Sequence, residues 1–468
     1  MSLDELERHI KSGERCHLVG IGGVSMSPLA EILHGMGVDL TGSDISDSPA
    51  VCSLRSLGIN ISLGHSADNV RGAGYVIRTA AARDDNVEIT ASRAQGIPVF
   101  ERAQAWGYIM RGYKEAICIS GVHGKTTTTS MVTYILLAAE TDPTIMIGGT
   151  LPALGSGYRV GKGDVIAVES CEYYNSFHHF CPTVAVVLNV DADHLDFFRD
   201  VDDLKSSFRK FASLVPAGGH IVCNGDDDNT LEALAPLGRD LLTFGMGEKA
   251  AVRGVDVHTG GRNPSMRIIY NGVSFCKIRL RVPGEHNLKN ALAAAATAIA
   301  AGIPAAAIEK GLNNYTGVGR RFEYKGVING ADVYDDYAHH PSELHATLNA
   351  VSSLGYKRVI VAFQPHTFSR THALFPDFVK ELSRPDITFL AETYAAREKN
   401  DAGISSGALA AAIPGALYYE SFDELAEKIG GIARKGDIIL TVGAGDIYKV
   451  GEALIRMRPE SLVAEAGV

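Results

Sequence analysis

A glycine-lysine-threonine loop is the strongest candidate for chemistry in this 468-residue sequence. The apolar run "AICIS" leads into Gly121-Val-His-Gly124-Lys125-Thr126, and an apolar helical pattern follows. The usual phosphate-binding loop, G-x-x-x-x-G-K-[ST], is longer between its glycines. In this context the loop amides and the helix N-terminus would face a phosphate. Lys125 would reach the β and γ phosphates, and the Thr126 hydroxyl would bind Mg²⁺, unless these residues only begin a helix.

Acidic and imidazole side chains follow two further predicted strands. "DVIAV" ends in Glu169, with Glu172 three residues later, and "TVAVVLNV" leads to His194. Ligands of open parallel sheets lie beyond the carboxyl ends of the strands. We therefore predict that Glu169 and His194 hold Mg²⁺ near the γ-phosphate, with Glu172 as a weaker candidate. The alternative is that they are polar loop residues that cap helices.

A second glycine loop, Gly20-Ile-Gly22-Gly23-Val-Ser25, follows the first apolar run. It is similar to a dinucleotide-binding loop, and Asp44 stands at the distance expected of an acid that binds a ribose. The pattern leaves three possibilities open: a nucleotide pyrophosphate site, a plain tight turn, or a nicotinamide-dependent dehydrogenase.

Paired amides begin a helix in "PGEHNLKNALAA". Asn287 and Asn290 are three residues apart and therefore share one helix face. They could contact the edge of an adenine, although Asn287 could equally cap the helix.

Histidines, acids and arginines cluster in the last third of the sequence. "DDYAHHPSE" and "FQPHTFSRTH" each follow a predicted strand. A guanidinium can bind a small carboxylate with two hydrogen bonds. The adjacent histidines would also suit zinc, but the spacing of a third ligand is unclear.

Strands alternate with helical patterns in three successive segments, which predicts parallel sheets. We predict an α/β fold of three domains, each with a mostly parallel sheet flanked by helices. Residues 1–110 would form a Rossmann-like domain, 111–317 a P-loop ATPase domain and 318–468 a second Rossmann-like domain. The alternating pattern over 252–281 predicts a small antiparallel patch.

Composition excludes several function classes. The formal charge of −10, with acids and bases interspersed, argues against a nucleic-acid partner. Seven cysteines without a C-x-x-C motif predict free, mostly buried thiols in a reducing compartment. The charged N-terminus and an alanine-rich run broken by Gly302 and Pro304 predict no membrane insertion. We therefore expect a cytoplasmic protein, a monomer or a homodimer.

Eight motifs, in order, give the sequence a resemblance to the Mur ligases from about Cys16 to Tyr448. They are "GVHGKTTTT", "ESCEYYNSF", "LNVDADHLDFF", "VPGEHNLKNALAAAA", "GVGRRFE", "DDYAHHPSE", "FQPHTFSRT" and "GAGDIY". The ATP loop of this family is itself the shorter kind. The resemblance implies that ATP phosphorylates the lactyl carboxylate of UDP-N-acetylmuramate, and that L-alanine then attacks the acyl phosphate. The implied role is peptidoglycan precursor synthesis.

The resemblance also implies a role for individual residues. For ATP these are Gly121, His123, Gly124, Lys125, Thr126, Thr127, Asn287, Asn290, Arg321 and Asp336. Gly20, Gly22, Gly23, Asp44 and His65 would bind the UDP-sugar. L-Alanine would contact His339, His366 and Arg370, with Arg370 on its carboxylate. Lys125, Glu169 and His194 would be catalytic, and Thr126, Glu169 and His194 would hold Mg²⁺.

Several positions depart from the family pattern. Ser25 replaces a glycine, Arg78 begins "RTAA" in place of S-S-A-I, and Thr367 replaces an arginine. Cys171 and Asn175 stand at positions that are usually acidic. A recycling ligase that attaches a tripeptide stays a rival within the family, because it needs a wider amino-acid pocket and the sequence does not measure that width. A nicotinamide-dependent dehydrogenase and a non-catalytic nucleotide-binding regulator are rivals from other classes.

Overall fold

The predicted alternation of strands and helices is present along the described chain. The computed structural model describes residues 2–192, 197–396, 398–400 and 403–457. These residues form three sheets and cluster into two compact units. The first unit contains residues up to 253 together with 269–276 and 291–311, and the second contains 254–268, 277–290 and residues from 312 onward. The three-domain α/β fold class is confirmed, whereas the domain boundaries stay predictions.

The first sheet has five parallel strands in the order β3-β2-β1-β4-β5. The strands are β1 Cys16–Val19, β2 Leu40–Asp44, β3 Asn60–Leu63, β4 Tyr75–Arg78 and β5 Val99–Glu101. The helices are α1 Leu3–Lys11, α2 Ser27–Gly35, α3 Pro49–Ser56, α4 Val87–Ala94 and α5 Arg102–Met110. The chain turns to opposite sides of β1 after β3, so the carboxyl ends of β1 and β4 form a topological switch point.

The second sheet has ten strands in the order β15-β14-β13-β12-β11-β10-β6-β9-β7-β8. Its strands are β6 Glu115–Ser120, β7 Thr144–Leu151, β8 Ser156–Arg159, β9 Val165–Glu169, β10 Val184–Val187, β11 His220–Asn224, β12 Leu241–Gly245, β13 Val252–His258, β14 Ser265–Tyr270 and β15 Val273–Arg279. Its helices are α6 Lys125–Ala138, α7 Val201–Ser213, α8 Asp228–Leu234, α9 Glu285–Ala300 and α10 Ala305–Asn314. Asn271 and Gly272 join β14 to β15 with φ of 47° and 80°, as in the tight turn of a hairpin. This turn agrees with an antiparallel β14–β15 pair inside the predicted patch of residues 252–281, whereas β13 pairs in parallel with β12.

The third sheet has six strands in the order β16-β17-β21-β18-β19-β20. They are β16 Glu323–Ile328, β17 Ala331–Asp336, β18 Arg358–Phe363, β19 Ile387–Ala391, β20 Leu417–Tyr419 and β21 Asp437–Val442. Its helices are α11 Pro341–Ser352, α12 Phe368–Ala373, α13 Phe375–Leu382, α14 Ser406–Ala412, α15 Phe422–Ile432 and α16 Tyr448–Arg456. All pairs are parallel except β16–β17.

The central strands of the three sheets are buried, and they hold the loops at their carboxyl ends in place. Every residue of β1, β10 and β21 is buried, as expected where helices cover both faces of a parallel sheet. The alanine-rich run begins within α9, where residues 291–296 are buried. No helix among the described residues is long and apolar enough to cross a bilayer.

The cysteines match the prediction only in part. All seven are free thiols, as predicted. Cys52 and Cys171, however, are exposed, so the prediction of buried packing was wrong for these two. Cys52 lies on α3, and Cys171 lies in the turn after β9. The apolar residues near them in the sequence do not indicate that their side chains are exposed.

Candidate functional site

The loop between β6 and α6 is shaped by two glycines. Gly121 has φ of 140° and Gly124 has φ of 83°, values that side chains rarely adopt. A Cβ on Gly121 would also lie 2.8 Å from Cβ of Leu188. Asn189, just beyond β10, holds the loop: it accepts from the His123 amide at 2.8 Å and donates to the His123 carbonyl at 3.0 Å. The loop is therefore fixed before any phosphate arrives.

Lys125 lies inside this loop in an ion pair. Its ammonium donates to the carbonyls of Gly121 at 2.5 Å and Val122 at 3.1 Å, and it lies 3.0 Å from Glu172. Burial by itself would lower the pKa of Lys125, but the charge of the buried Glu172 raises it above its usual value. Lys125 is therefore a cation, and Glu172 is its partner.

Thr126 and Glu169 bring hydroxyl and carboxylate oxygens together. The Thr126 hydroxyl donates to Glu169 at 2.9 Å, and the Gly148 amide donates to the same carboxylate at 2.8 Å. Mg²⁺ prefers such oxygen ligands, takes few of them from the protein, and keeps water and phosphate oxygens as well. The pair therefore fits this ion. His194 lies outside the described residues, which hold no group of three potential His, Cys, Asp or Glu ligands.

The glycine loop after β1 closes on the end of β2. The amides of Gly20 and Ile21 donate to the Ser43 carbonyl at 2.9 and 3.0 Å. The Gly22 amide donates to the Asp44 carboxylate at 2.8 Å, and a Cβ on Gly22 would lie 3.0 Å from that carboxylate. The structure thus brings the predicted Asp44 directly against the loop.

His65 is oriented by a buried glutamate. Its Nδ1 lies 2.9 Å from Glu88, which also accepts from the Ser43 hydroxyl at 2.6 Å and from Asn69 at 2.5 Å. Burial alone would raise the pKa of Glu88, but hydrogen bonds from His17, Ser43 and Asn69 lower it to about 2. Sequence reasoning missed Glu88, whose only signal is its place in the first turn of α4.

In the second unit, Asn287 contacts its own turn. Its side-chain amide donates to the Pro283 carbonyl at 2.7 Å, and the residue is buried. The contact is local but is not a helix cap, because Asn287 is the third residue of α9 and its side chain donates instead of accepting. Asn290 is half-buried one turn later. Adenine contact by the two residues stays a prediction.

Arg321 lies just before β16, and Asp336 is the last residue of β17. Asp336 accepts hydrogen bonds from the amides of Phe322 at 3.0 Å and Ala338 at 2.8 Å, and burial raises its pKa to about 6. The Arg321 guanidinium lies 5.0 Å from the ring centre of Tyr337 and 3.9 Å from Glu343. Asp336 therefore braces the loop that follows β17.

The three residues predicted to bind the amino acid lie together. The rings of His339 and His366 are 5.5 Å apart, and Arg370 lies 3.2 Å from Nδ1 of His366. Burial lowers the pKa of His339 to about 4, so this imidazole is neutral at pH 7. Tyr394 stacks on His366 at 5.5 Å, and its amide pairs with the Pro365 carbonyl. Tyr394 was missed because it belongs to a different strand end.

Comparisons with known proteins cover almost the whole chain. Three family models match: "Mur ligase family, catalytic domain" over residues 15–114, "Mur ligase middle domain" over 119–298 and "Mur ligase, glutamate ligase domain" over 320–445.

Curated relatives match along nearly their full length. A UDP-N-acetylmuramate--L-alanine ligase of Caldanaerobacter subterraneus is 42% identical over 455 residues, which is 96% of this chain and 99% of the relative. The ligase of the same name from Acetivibrio thermocellus is 43% identical over 446 residues, covering 94% and 95%.

Solved structures share the fold. The UDP-N-acetylmuramate-alanine ligase of Thermotoga maritima superposes with a TM-score of 0.78 at 29% identity, covering 95% of this chain and 98% of the other. A murein peptide ligase of Psychrobacter arcticus has a TM-score of 0.69 at 22% identity, with the same coverage, and shows the fold alone. The chain belongs to the Mur ligase family.

Proposed function

We propose that the protein joins L-alanine to the lactyl carboxylate of UDP-N-acetylmuramate and converts ATP to ADP and phosphate. Relatives named for this reaction are 42% and 43% identical over nearly the whole chain. The observation that supports the chemistry is the position of Lys125 and Thr126 in the turn after β6, beside Glu169 at the carboxyl end of the adjacent strand β9. Family membership leaves the dehydrogenase hypothesis without support.

The reaction divides into two transfers. A carboxylate oxygen of the sugar nucleotide attacks the γ-phosphorus of ATP, and the bond to the β-phosphate oxygen breaks to release ADP. The amine of L-alanine then attacks the acyl carbon, and the tetrahedral intermediate expels phosphate to leave the amide. Phosphoryl transfer needs positioning and neutralisation of charge more than covalent help.

The loop after β6 supplies both requirements. Lys125 is charged and adjacent to the helix N-terminus, so it can move from Glu172 to the phosphates of ATP. Gly121, His123, Gly124 and Thr127 complete the proposed contacts to ATP. Thr126 and Glu169 would hold Mg²⁺, which neutralises charge on the phosphate oxygens when it is bound. His194 stays a proposed further ligand and catalytic residue.

The other substrates are assigned to separate clusters. Gly20, Gly22, Gly23, Asp44 and His65 would bind the UDP-sugar, and Asn287, Asn290, Arg321 and Asp336 would contact the nucleotide of ATP. In the second unit, Arg370 would pair with the carboxylate of L-alanine. The neutral imidazole of His339 can accept a hydrogen bond from the amino group, with His366 beside it.

Arg370 gives a direct test of the amino-acid site. We expect Arg370→Ala to raise the KM for L-alanine by about 10- to 100-fold, because a charged hydrogen bond is lost, and to leave the KM for ATP nearly unchanged. Steady-state phosphate release measures both constants. Equal increases in the two values would remove Arg370 from the amino-acid site.

The overall reaction is tested by phosphate release from purified protein with ATP, Mg²⁺ and UDP-N-acetylmuramate. Glycine, L-serine, L-alanine and the tripeptide serve as acceptors. Turnover with L-alanine supports the proposal, and turnover with the tripeptide alone would favour the recycling ligase. No turnover with any acceptor would favour a non-catalytic regulator. We place the protein in the cytoplasm, because its seven cysteines are free thiols, as in proteins of a reducing compartment.

A further inference from the structure

Two arginines at the carboxyl ends of adjacent strands have opposite surroundings. Arg78 ends β4, and its guanidinium lies 2.6 Å from both Asp84 and Glu101. Arg102 follows β5 directly, yet its only hydrogen bond to a described residue is to the Ser25 hydroxyl. Among the described residues, no carboxylate forms an ion pair with Arg102. Its charge is therefore available to a ligand, whereas that of Arg78 is already neutralised.

The surroundings of Arg102 do not supply a hidden negative charge. Its guanidinium is half-buried, and burial lowers its pKa, although an arginine stays charged at neutral pH. Negative charge on Cys171 or Glu101 would raise the pKa of Arg102 again. Cys171 carries a thiol, which is mostly protonated and therefore neutral at pH 7, and Glu101 is paired with Arg78. A thiol thus stands where the family pattern has an acid.

Arg102 is anchored to the end of the glycine loop. Besides the bond from Arg102 to the Ser25 hydroxyl, the indole of Trp106 donates to the Ser25 carbonyl at 3.2 Å. Trp106 lies one turn later on α5 and is buried. These contacts place the cation beside the loop and limit its movement.

The same end of the loop has amides to offer. The amides of Gly20, Ile21, Gly22 and Gly23 are used within the fold, by Ser43, Asp44 and the Gly20 carbonyl. In contrast, no described residue accepts a hydrogen bond from the amides of Val24 or Ser25. Two open amides beside an unpaired guanidinium form a typical anion site.

We propose that Arg102, with the Val24 and Ser25 amides, binds the diphosphate of the sugar nucleotide. A guanidinium presents two parallel donors that match phosphate oxygens, and it is held at the loop before the ligand arrives. This assignment rests on the proposed function, because it takes a UDP-sugar as the ligand of the first unit. The lactyl carboxylate is the other anionic group of that ligand, and the experiment separates the two.

The experiment is a binding series with the full-length protein and four ligands. UDP, UDP-N-acetylglucosamine and UDP-N-acetylmuramate are measured by calorimetry, and uridine by ligand-observed NMR. We expect Arg102→Gln to weaken all three diphosphates by about 10- to 100-fold, as for loss of a charged hydrogen bond, and to leave uridine unchanged. Arg102→Lys should recover part of the loss. Arg93→Gln, which removes an equal charge from an exposed ion pair with Asp84, should have little effect.

Four results would overturn the assignment. Unchanged affinity of Arg102→Gln for UDP would exclude the contact, and a parallel loss of uridine binding would show a structural role only. A loss confined to UDP-N-acetylmuramate would assign Arg102 to the carboxylate. If the unmodified protein bound none of the uridine nucleotides, the proposed function would fail as well, which distinguishes the two failures.

Discussion

The loop after β6 and the loop after β1 each lie beside a buried glutamate, but the two glutamates have different partners. Glu172 pairs with the cation of its own loop, Lys125. Glu88 instead pairs with His65 and is held by Ser43 and Asn69, so the cation beside that loop, Arg102, has no described carboxylate partner. Both loops are glycine turns before a helix, so this shared feature does not explain the different pairing of their cations. The placement of nearby charge decides whether a ligand must displace an internal partner.

The largest expected effect is the loss of turnover when Lys125, the cation of the loop after β6, is removed. We expect Lys125→Ala to lower turnover by about 1,000-fold or more, because the ammonium stabilises the charge of the transferring phosphoryl group. The dissociation constant of UDP, which is proposed to bind at the loop after β1, should change by less than about threefold, because substitutions at separate sites act nearly independently. Phosphate release and calorimetric titration measure the two properties. Loss of both would contradict the separation of the two loops.

A smaller effect is expected from the oxygen pair beside Lys125. Glu169→Gln should lower kcat by about 100-fold at fixed Mg²⁺, because a metal ligand and its charge are lost together. The Mg²⁺ concentration for half-maximal turnover should rise. Turnover measured against Mg²⁺ tests this, with UDP binding as the control for folding. An unchanged Mg²⁺ dependence would exclude Glu169 as a ligand.

The internal ion pair can be tested by its stability. We expect Glu172→Gln to lower the free energy of unfolding by about 3 kcal/mol, since a buried ammonium loses its carboxylate. ATP should restore part of this loss, because its phosphates take the place of Glu172. Urea unfolding with and without ATP provides the measurement. Asp84→Asn, which removes an exposed carboxylate, is the control and should cost about 1 kcal/mol or less.

The buried glutamate beside the other loop should respond to pH. The pKa of Glu88 is lowered from 4.5 to about 2 in the folded state, so its carboxylate stabilises the fold above pH 4.5. This contribution, roughly 2–3 kcal/mol, is lost as the pH falls from 4.5 towards 2. Glu88→Gln should therefore be destabilising at pH 7 and less so at pH 3. An equal destabilisation at the two values, measured by urea unfolding, would contradict the assignment.

Some predictions depended only on local pattern and could be made before the structure. The short runs "CHLVGIGG", "DLTGSD" and "YVIRTAA" predict strands, and β1, β2 and β4 lie there, as do the predicted strands around the loop of Lys125. The short strand β3 was missed, because "NISL" contains two polar residues in four and resembles a loop. Local propensity carries little information for so short a strand, whose formation depends on pairing with β2.

The sequence by itself determined the fold class and the chemistry of contiguous motifs, because strand–loop–helix turns place neighbouring residues predictably. Only the tertiary structure decided which distant charges meet. Ser25 and Arg102 are 77 residues apart, and Ser43 and Glu88 are 45 apart. Pairing between Lys125 and Glu172 likewise depends on adjacent strands β6 and β9. Such pairs result from strand order and side-chain packing, which no local pattern encodes.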